Sequence, residues 1–154
     1  MDLTEILTVE SVRAPLKVSS KKRLLQDIAG FCSSVYDVDE QTLFGALQER
    51  ELLGATGMGK GVAIPHARLD GLEKVHGAFF ALEQPVDFEA VDRQPVDLVF
   101  TLLAPVSAGA EHLKALARVS RTFRDDSIRT KLRSTNDPSA LYAILTEPAA
   151  SQAA

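Results

Sequence analysis

Residues Gly54 to Arg68 read GATGMGKGVAIPHAR, and four of the first eight are glycine. Glycine permits positive φ and close backbone approach at an entropic cost that a purely structural loop would avoid. Gly61, Val62, Ala63 and Ile64 then predict a short extended strand. Pro65 has no N–H and biases Ile64 toward extended geometry, so the ladder is expected to stop where His66 begins. The stretch thus predicts a histidine presented at a strand tip.

On the N-terminal side the chain reads as helix. Asp39 caps one that Gly54 is placed to end. Leu43, Leu47 and Arg50 fall at i, i+4 and i+7, which puts a guanidinium on the apolar stripe. That group cannot deprotonate, so it requires an anion. Glu51 next door meets the requirement structurally, and a phosphate at His66 meets it functionally. The planar five-donor fork favours the second reading. Earlier, Ser19 or Ser20 caps a helix whose apolar positions are Leu24, Leu25, Ile28, Cys32 and Val35. Lys21, Lys22 and Arg23 oppose the macrodipole on its opening turn. They read as a solvated turn, with a docking patch for an acidic partner as the alternative. The first dozen residues predict a short helical turn, and Val12 to Val18 an edge strand despite Pro15.

On the C-terminal side, His76 to Leu82 and Val96 to Leu103 read as strands, with His76 as an exposed or capping histidine. VDLVFTLLAP is apolar almost throughout, which suggests a central strand buried on both faces, and hence helices on both sides. From Gly109 the period is helical, and His112, Leu116, Val119 and Phe123 share a face, so His112 points inward near the helix start. A short helix over Ser127 to Arg133 follows, then a last helix to Leu145 with Asp137 as cap and Pro138 at its first position. The expected fold is α/β: one domain over residues 1–147, a mixed, buried sheet flanked by helices on both faces, and a disordered tail at 148–154.

Composition narrows the function. A chain of 154 residues with net charge −4 has room for one well-formed core and offers no basic footprint for nucleic acid. No apolar run is long enough to span a bilayer, and the start lacks the order of a signal peptide, so no membrane insertion and a cytoplasmic location are expected. Cys32 is the only cysteine, which excludes an intrachain disulfide and suits a small apolar helix residue.

The glycine loop admits three chemistries. Gly54 to Gly61 matches G-x-x-x-x-G-K-G, but Gly61 replaces the hydroxyl that would hold magnesium, and a helix precedes the loop where a nucleotide-binding loop needs a strand. A metal site from His66, His76 and His112 lacks ligand-pair spacing on a shared helix. The third is that His66 is a nucleophile carrying a phosphoryl group. A neutral imidazole, with an ordinary pKa of about 6.5, attacks at neutral pH without an auxiliary base, and neither metal nor nucleotide cofactor is needed. Its second nitrogen must be hydrogen-bonded to fix the tautomer, by a backbone carbonyl or by His112.

Glu51, six residues, then Met58-Gly59-Lys60-Gly61-Val62-Ala63-Ile64-Pro65-His66-Ala67 resembles the phosphohistidine signature of the mannitol/fructose-type enzyme IIA family of the bacterial phosphotransferase system. Within that family the chain most resembles the nitrogen-regulatory member, and the likeness runs from Leu3 to about Thr146. The resemblance implies that His66 is phosphorylated with Arg50 beside it. It also implies that His112, in a H-L-x-x-L helix, hydrogen-bonds the phosphoryl group or orients the nucleophile, against the default of a core histidine. Phosphoryl transfer is mainly positioning and charge stabilisation. Arg50 and the loop amides, at Thr56, Gly57, Gly59 and Gly61, are expected to supply these.

The donor implied is an HPr-like phosphocarrier (NPr). The targets implied are regulatory proteins such as potassium-transport or kinase components, read according to phosphorylation state. The alternative within the family is a sugar-specific IIA component that passes phosphate to a IIB in carbohydrate uptake. Outside it stands an anion- or partner-binding module whose His66 is never phosphorylated.

Overall fold

A computed structural model describes residues 1–147. The tail expected at 148–154 lies outside the described residues. Two short 3-10 turns, Leu3–Glu5 and Val9–Ser11, lead into β1 (Val12–Leu16). Then follow α1 (Lys21–Tyr36), α2 (Glu40–Leu52), β2 (Gly57–Gly59), β3 (Val62–Ala63), β4 (His66–Leu69), β5 (His76–Val86) and β6 (Val96–Pro105). Three helices complete the chain: α3 (Gly109–Arg124), α4 (Asp126–Leu132) and α5 (Pro138–Leu145).

The capping chemistry is local. The Ser20 hydroxyl accepts the Arg23 N–H at 3.1 Å and starts α1, and the Asp39 carboxylate accepts the Thr42 N–H at 2.9 Å and starts α2. Asp137 occupies the cap position of α5 without a side-chain bond, and Pro138 supplies the pre-set φ.

The sheet is mixed, with strand order β1-β5-β6-β3-β2 and β4 also paired to β6. β1 runs parallel to β5 on one edge, β5 is antiparallel to β6, and β3 and β4 both run parallel to β6. β6 is therefore the axis of the sheet, and nearly all of it is buried. Alternation divides its side chains between two cores. Leu98, Phe100, Leu102 and Ala104 join Phe79, Val119, Phe123, Leu132 and Leu141 beneath α3, α4 and α5. Val99 and Leu103, with Val96 before the register shift opposite β5, join Phe80, Leu24, Ile28, Leu43 and Leu47 beneath α1 and α2. The mixed buried sheet with helices on both faces is as expected from the sequence.

One local expectation is corrected. The ladder does not stop at His66. β3 ends at Ala63, and pairing to β6 resumes with β4, in which His66 opposes Leu102. Pro65 cannot donate, but its carbonyl still accepts the Leu102 N–H at 3.0 Å, so it interrupts the ladder without ending it. His66 is at the first residue of a strand and not beyond the last. Of the basic turn, Lys21 turns inward to Glu51 and Glu89, while Lys22 and Arg23 stay exposed, Arg23 beside Asp27.

Candidate functional site

The C-terminal end of α2, the start of β4 and the first turn of α3 meet around His66. Its Nδ1 lies 2.9 Å from the Ile64 carbonyl oxygen, which accepts only if Nδ1 carries the proton. Nε2 then holds the lone pair, and Arg50 Nε donates to it at 3.2 Å. Arg50 is fixed in turn by Nη1 donating to the Gly54 carbonyl at 2.8 Å, across the helix end. Burial lowers the His66 pKa below its ordinary value, and the Arg50 and Arg68 guanidiniums add to this, against the Ile64 bond and the Glu51 charge. His66 is neutral at pH 7.

His112 enters from the first turn of α3, its ring edge-on to that of His66 with centroids 5.3 Å apart. Arg68 Nε donates to His112 Nδ1 at 3.2 Å, so the imidazole proton sits on Nε2. That Nε2 is buried and has no partner among the described residues, in a residue only 4 % exposed. Burial first, then His66 and Arg68, press the His112 pKa down to about 4. The ring is a neutral donor. Arg50, His66, Arg68 and His112 line one open cavity with Leu53, Leu113 and Leu116. Leu53 and Leu113 stand at its rim, 82 % and 65 % exposed.

Several sequence-based assignments are redistributed. Thr56, Gly57, Gly59 and Gly61, expected as phosphate-loop amides, do not line this cavity. The Thr56 N–H and hydroxyl are both taken by the Glu51 carboxylate. Gly57 abuts Ala90, Gly59 lies against Asp92, and Gly61 against Arg133 and Asp97. The reason is that the loop folds back as the β2–β3 hairpin under the β5–β6 connection, away from the histidine. Glu51, the structural partner considered for Arg50, points to Lys21 and Thr56 instead. His76 stacks on Tyr36, centroids 4.3 Å apart, and β5 and β4 flank β6 on opposite sides, so the three histidines do not converge. Among the described residues no cluster of three metal-ligating groups occurs. α2 precedes the glycine loop and β3 follows it, the reverse of the strand-loop-helix order of a nucleotide loop.

Arg68 is the residue that sequence reasoning missed. It lies two positions after His66, hence on the same face of β4, and that period-2 spacing was the available signal. No helix among the described residues is long and apolar enough to cross a membrane.

Residues 5–147 match the family model described as phosphoenolpyruvate-dependent sugar phosphotransferase system, EIIA 2. A nitrogen regulatory protein of Bradyrhizobium diazoefficiens is 48 % identical over 99 % of this chain and all of its own length. A fructose-specific EIIA component of Haloferax volcanii is 32 % identical over 96 % of this chain and 98 % of its own. Among solved structures, the nitrogen regulatory protein IIA-Ntr of Neisseria meningitidis superposes with a TM-score of 0.88 at 38 % identity, covering 94 % of this chain and 99 % of its own. The mannitol IIA of Escherichia coli, at 20 % identity, covering 90 % of this chain and 98 % of its own with a TM-score of 0.77, shares the fold. With the histidine pair and its two arginines set in this fold, the chain belongs to the EIIA 2 family of the phosphoenolpyruvate-dependent sugar phosphotransferase system.

Proposed function

We propose that this chain is a cytoplasmic regulatory phosphocarrier, in which His66 Nε2 takes a phosphoryl group from a phosphohistidine on an HPr-like protein and partners respond to its phosphorylation state. The observation that carries the reading is the tautomer: the Ile64 carbonyl holds the proton on Nδ1 and leaves the Nε2 lone pair facing the cavity beside Arg50. In the transfer, that lone pair forms a bond to phosphorus while the donor's N–P bond breaks, its electron pair returning to the donor imidazole. Positive charge grows on the His66 ring, and the Nδ1–H bond to Ile64 strengthens as it does so. Arg50 exchanges its bond to Nε2 for phosphoryl oxygens, which its fork fits. His112 Nε2–H, unpartnered among the described residues, donates to another. The exposed Leu53 and Leu113 give the rim the apolar character of a protein-docking face.

A regulatory role is favoured over sugar uptake because the nitrogen regulatory relative is much the more similar, 48 % against 32 % identical for the fructose-specific component. The test is incubation with an HPr-like donor and its phosphoenolpyruvate-dependent kinase. Wild type gains an acid-labile, alkali-stable label, His66→Ala gains none, and Arg50→Ala folds normally but accepts phosphate about 10²-fold more slowly. Labelling of His66→Ala at the wild-type rate would sink the assignment, and rapid onward transfer to a sugar-specific IIB would move the role to uptake.

A further inference from the structure

The orientation of His66 depends on Ile64, and Ile64 is tied to a charged cluster, centred on the buried Glu51, that lies outside the cavity. Glu51, in the last turn of α2, is 8 % exposed. Its carboxylate accepts the Thr56 N–H at 3.0 Å and the Thr56 hydroxyl, and it faces Lys21 Nζ at 3.1 Å. Lys21 also reaches Glu89 at 3.4 Å and lies 4.5 Å from the centre of the Phe88 ring. The Thr56 carbonyl accepts the Ile64 N–H at 3.0 Å, and the Ile64 carbonyl meets His66 Nδ1 at 2.9 Å. A continuous path of contacts thus runs from Lys21 to the nucleophile.

A buried ion pair is poor evidence of stability, because desolvating both charges offsets much of their attraction. The Lys21–Glu51 pair does something more specific: it anchors Thr56 through two bonds at the open end of the β2–β3 hairpin, where Thr56 stands opposite Ile64. Arg50 and Glu51 are neighbours in sequence and serve opposite sides of one ring. Arg50 contacts Nε2 directly, whereas Glu51 acts on Nδ1 through Thr56 and Ile64. The bonds along this path belong to different peptide units, so they transmit position and not charge.

We infer that Glu51, held by Lys21 and acting through Thr56, is a positioning residue that fixes the Nδ1–H tautomer and ring angle of His66 and thereby its competence as a phosphoryl acceptor. This rests on the phosphocarrier reading for its consequence, but the tautomer can be read without any donor. The experiment uses the full chain with ¹⁵N-labelled histidine and records the His66 ring nitrogen shifts. Wild type, Glu51→Gln, Thr56→Val and the distant core variant Leu141→Ala are compared, each also assayed for phosphate acceptance.

Wild type is expected to show Nδ1 protonated and Nε2 bare. Glu51→Gln and Thr56→Val are expected to mix in the other tautomer and to accept phosphate about tenfold more slowly, the scale of outer partners that orient ligating histidines. Leu141→Ala is expected to lose stability with the wild-type tautomer retained. Wild-type shifts and rate in both Glu51→Gln and Thr56→Val would overturn the inference, as would an equal tautomer change in Leu141→Ala. If no variant, wild type included, accepts phosphate, the proposed function fails while the nitrogen shifts still decide the role of Glu51.

Discussion

His112 carries a proton ledger that can be checked without knowing any partner. Its folded pKa is pressed down to about 4, chiefly by burial and then by the neighbouring His66 and Arg68, against an ordinary histidine value of 6.5. Between those two pH values the unfolded chain holds a proton on this residue that the folded chain refuses. Stability therefore rises with pH across the interval and is lost as pH falls from 6.5 toward 4. The His66 pKa is lowered too, so it acts in the same direction just below 6.5. Urea unfolding of wild type at pH 7, 6, 5 and 4 should show a falling midpoint. His112→Gln, which cannot take up that proton, should show a flatter decline over the same range. An identical pH dependence in the two proteins would mean that other groups govern acid sensitivity.

At the scale of elements, the hairpin of β2 and β3 is held by residues far along the chain. Arg133, just after α4, donates from Nε and Nη2 to the Asp97 carboxylate and from Nη2 to the Lys60 carbonyl at 2.7 Å. Gly61 sits beneath this clamp at φ +80°, and a Cβ there would collide with Arg133 Nη2 and come within 2.9 Å of Asp97 Oδ1. Gly71 has a similar φ of +88° with open space around it. Gly71→Ala should therefore cost only the left-handed strain, about 1 kcal/mol. Gly61→Ala should cost about 2 kcal/mol or more, because the clamp is lost as well. Thermal unfolding of both variants measures the difference, and equal losses would show that the clamp contributes nothing. This explains what the sequence could and could not show. Periodicity and caps located α1, α2, β5, β6 and α3, and Pro65 with the preceding glycines marked the histidine, because those signals are local. The clamp and the return of β4 to the ladder arise from pairings between distant segments, and the Glu51–Thr56 contacts, though five residues apart, depend on how the chain leaves α2. That is why the glycines read as a phosphate cradle when they are sites of close packing. Arg68 was hidden for the same reason: its partner, His112, lies 44 positions away.

At the scale of the whole molecule, the sheet divides two cores that share no helix among the described residues, so their cooperativity depends on its strands, β6 at the centre and β5 beside it, with Phe79 in one core and Phe80 in the other. Leu98 and Phe100 look into one layer while Val99 looks into the other, and displacing the strand for either layer removes the floor of both. A domain of this size with such sharing should unfold in one step. The chain contains no tryptophan and two tyrosines, and these fall in opposite layers: Tyr36 packs on the α1–α2 core and Tyr142 on the α5 side. Each single-tyrosine variant, Tyr36→Phe or Tyr142→Phe, thus reports one layer by its intrinsic fluorescence. Tyr36→Phe should itself lose about 1 kcal/mol with the hydroxyl bond to the Gly77 carbonyl. Within each variant, the fluorescence transition in urea and the loss of far-UV circular dichroism are expected to share a midpoint. Leu43→Ala in one core and Leu141→Ala in the other, each costing about 2–5 kcal/mol, should move both reporters together. A fluorescence midpoint that separates from the dichroism midpoint, or a core variant that moves only the tyrosine of its own layer, would show two independently melting halves. Phosphate acceptance should then disappear with the α1–α2 half, since α2 carries Arg50, while the Tyr142 signal persisted.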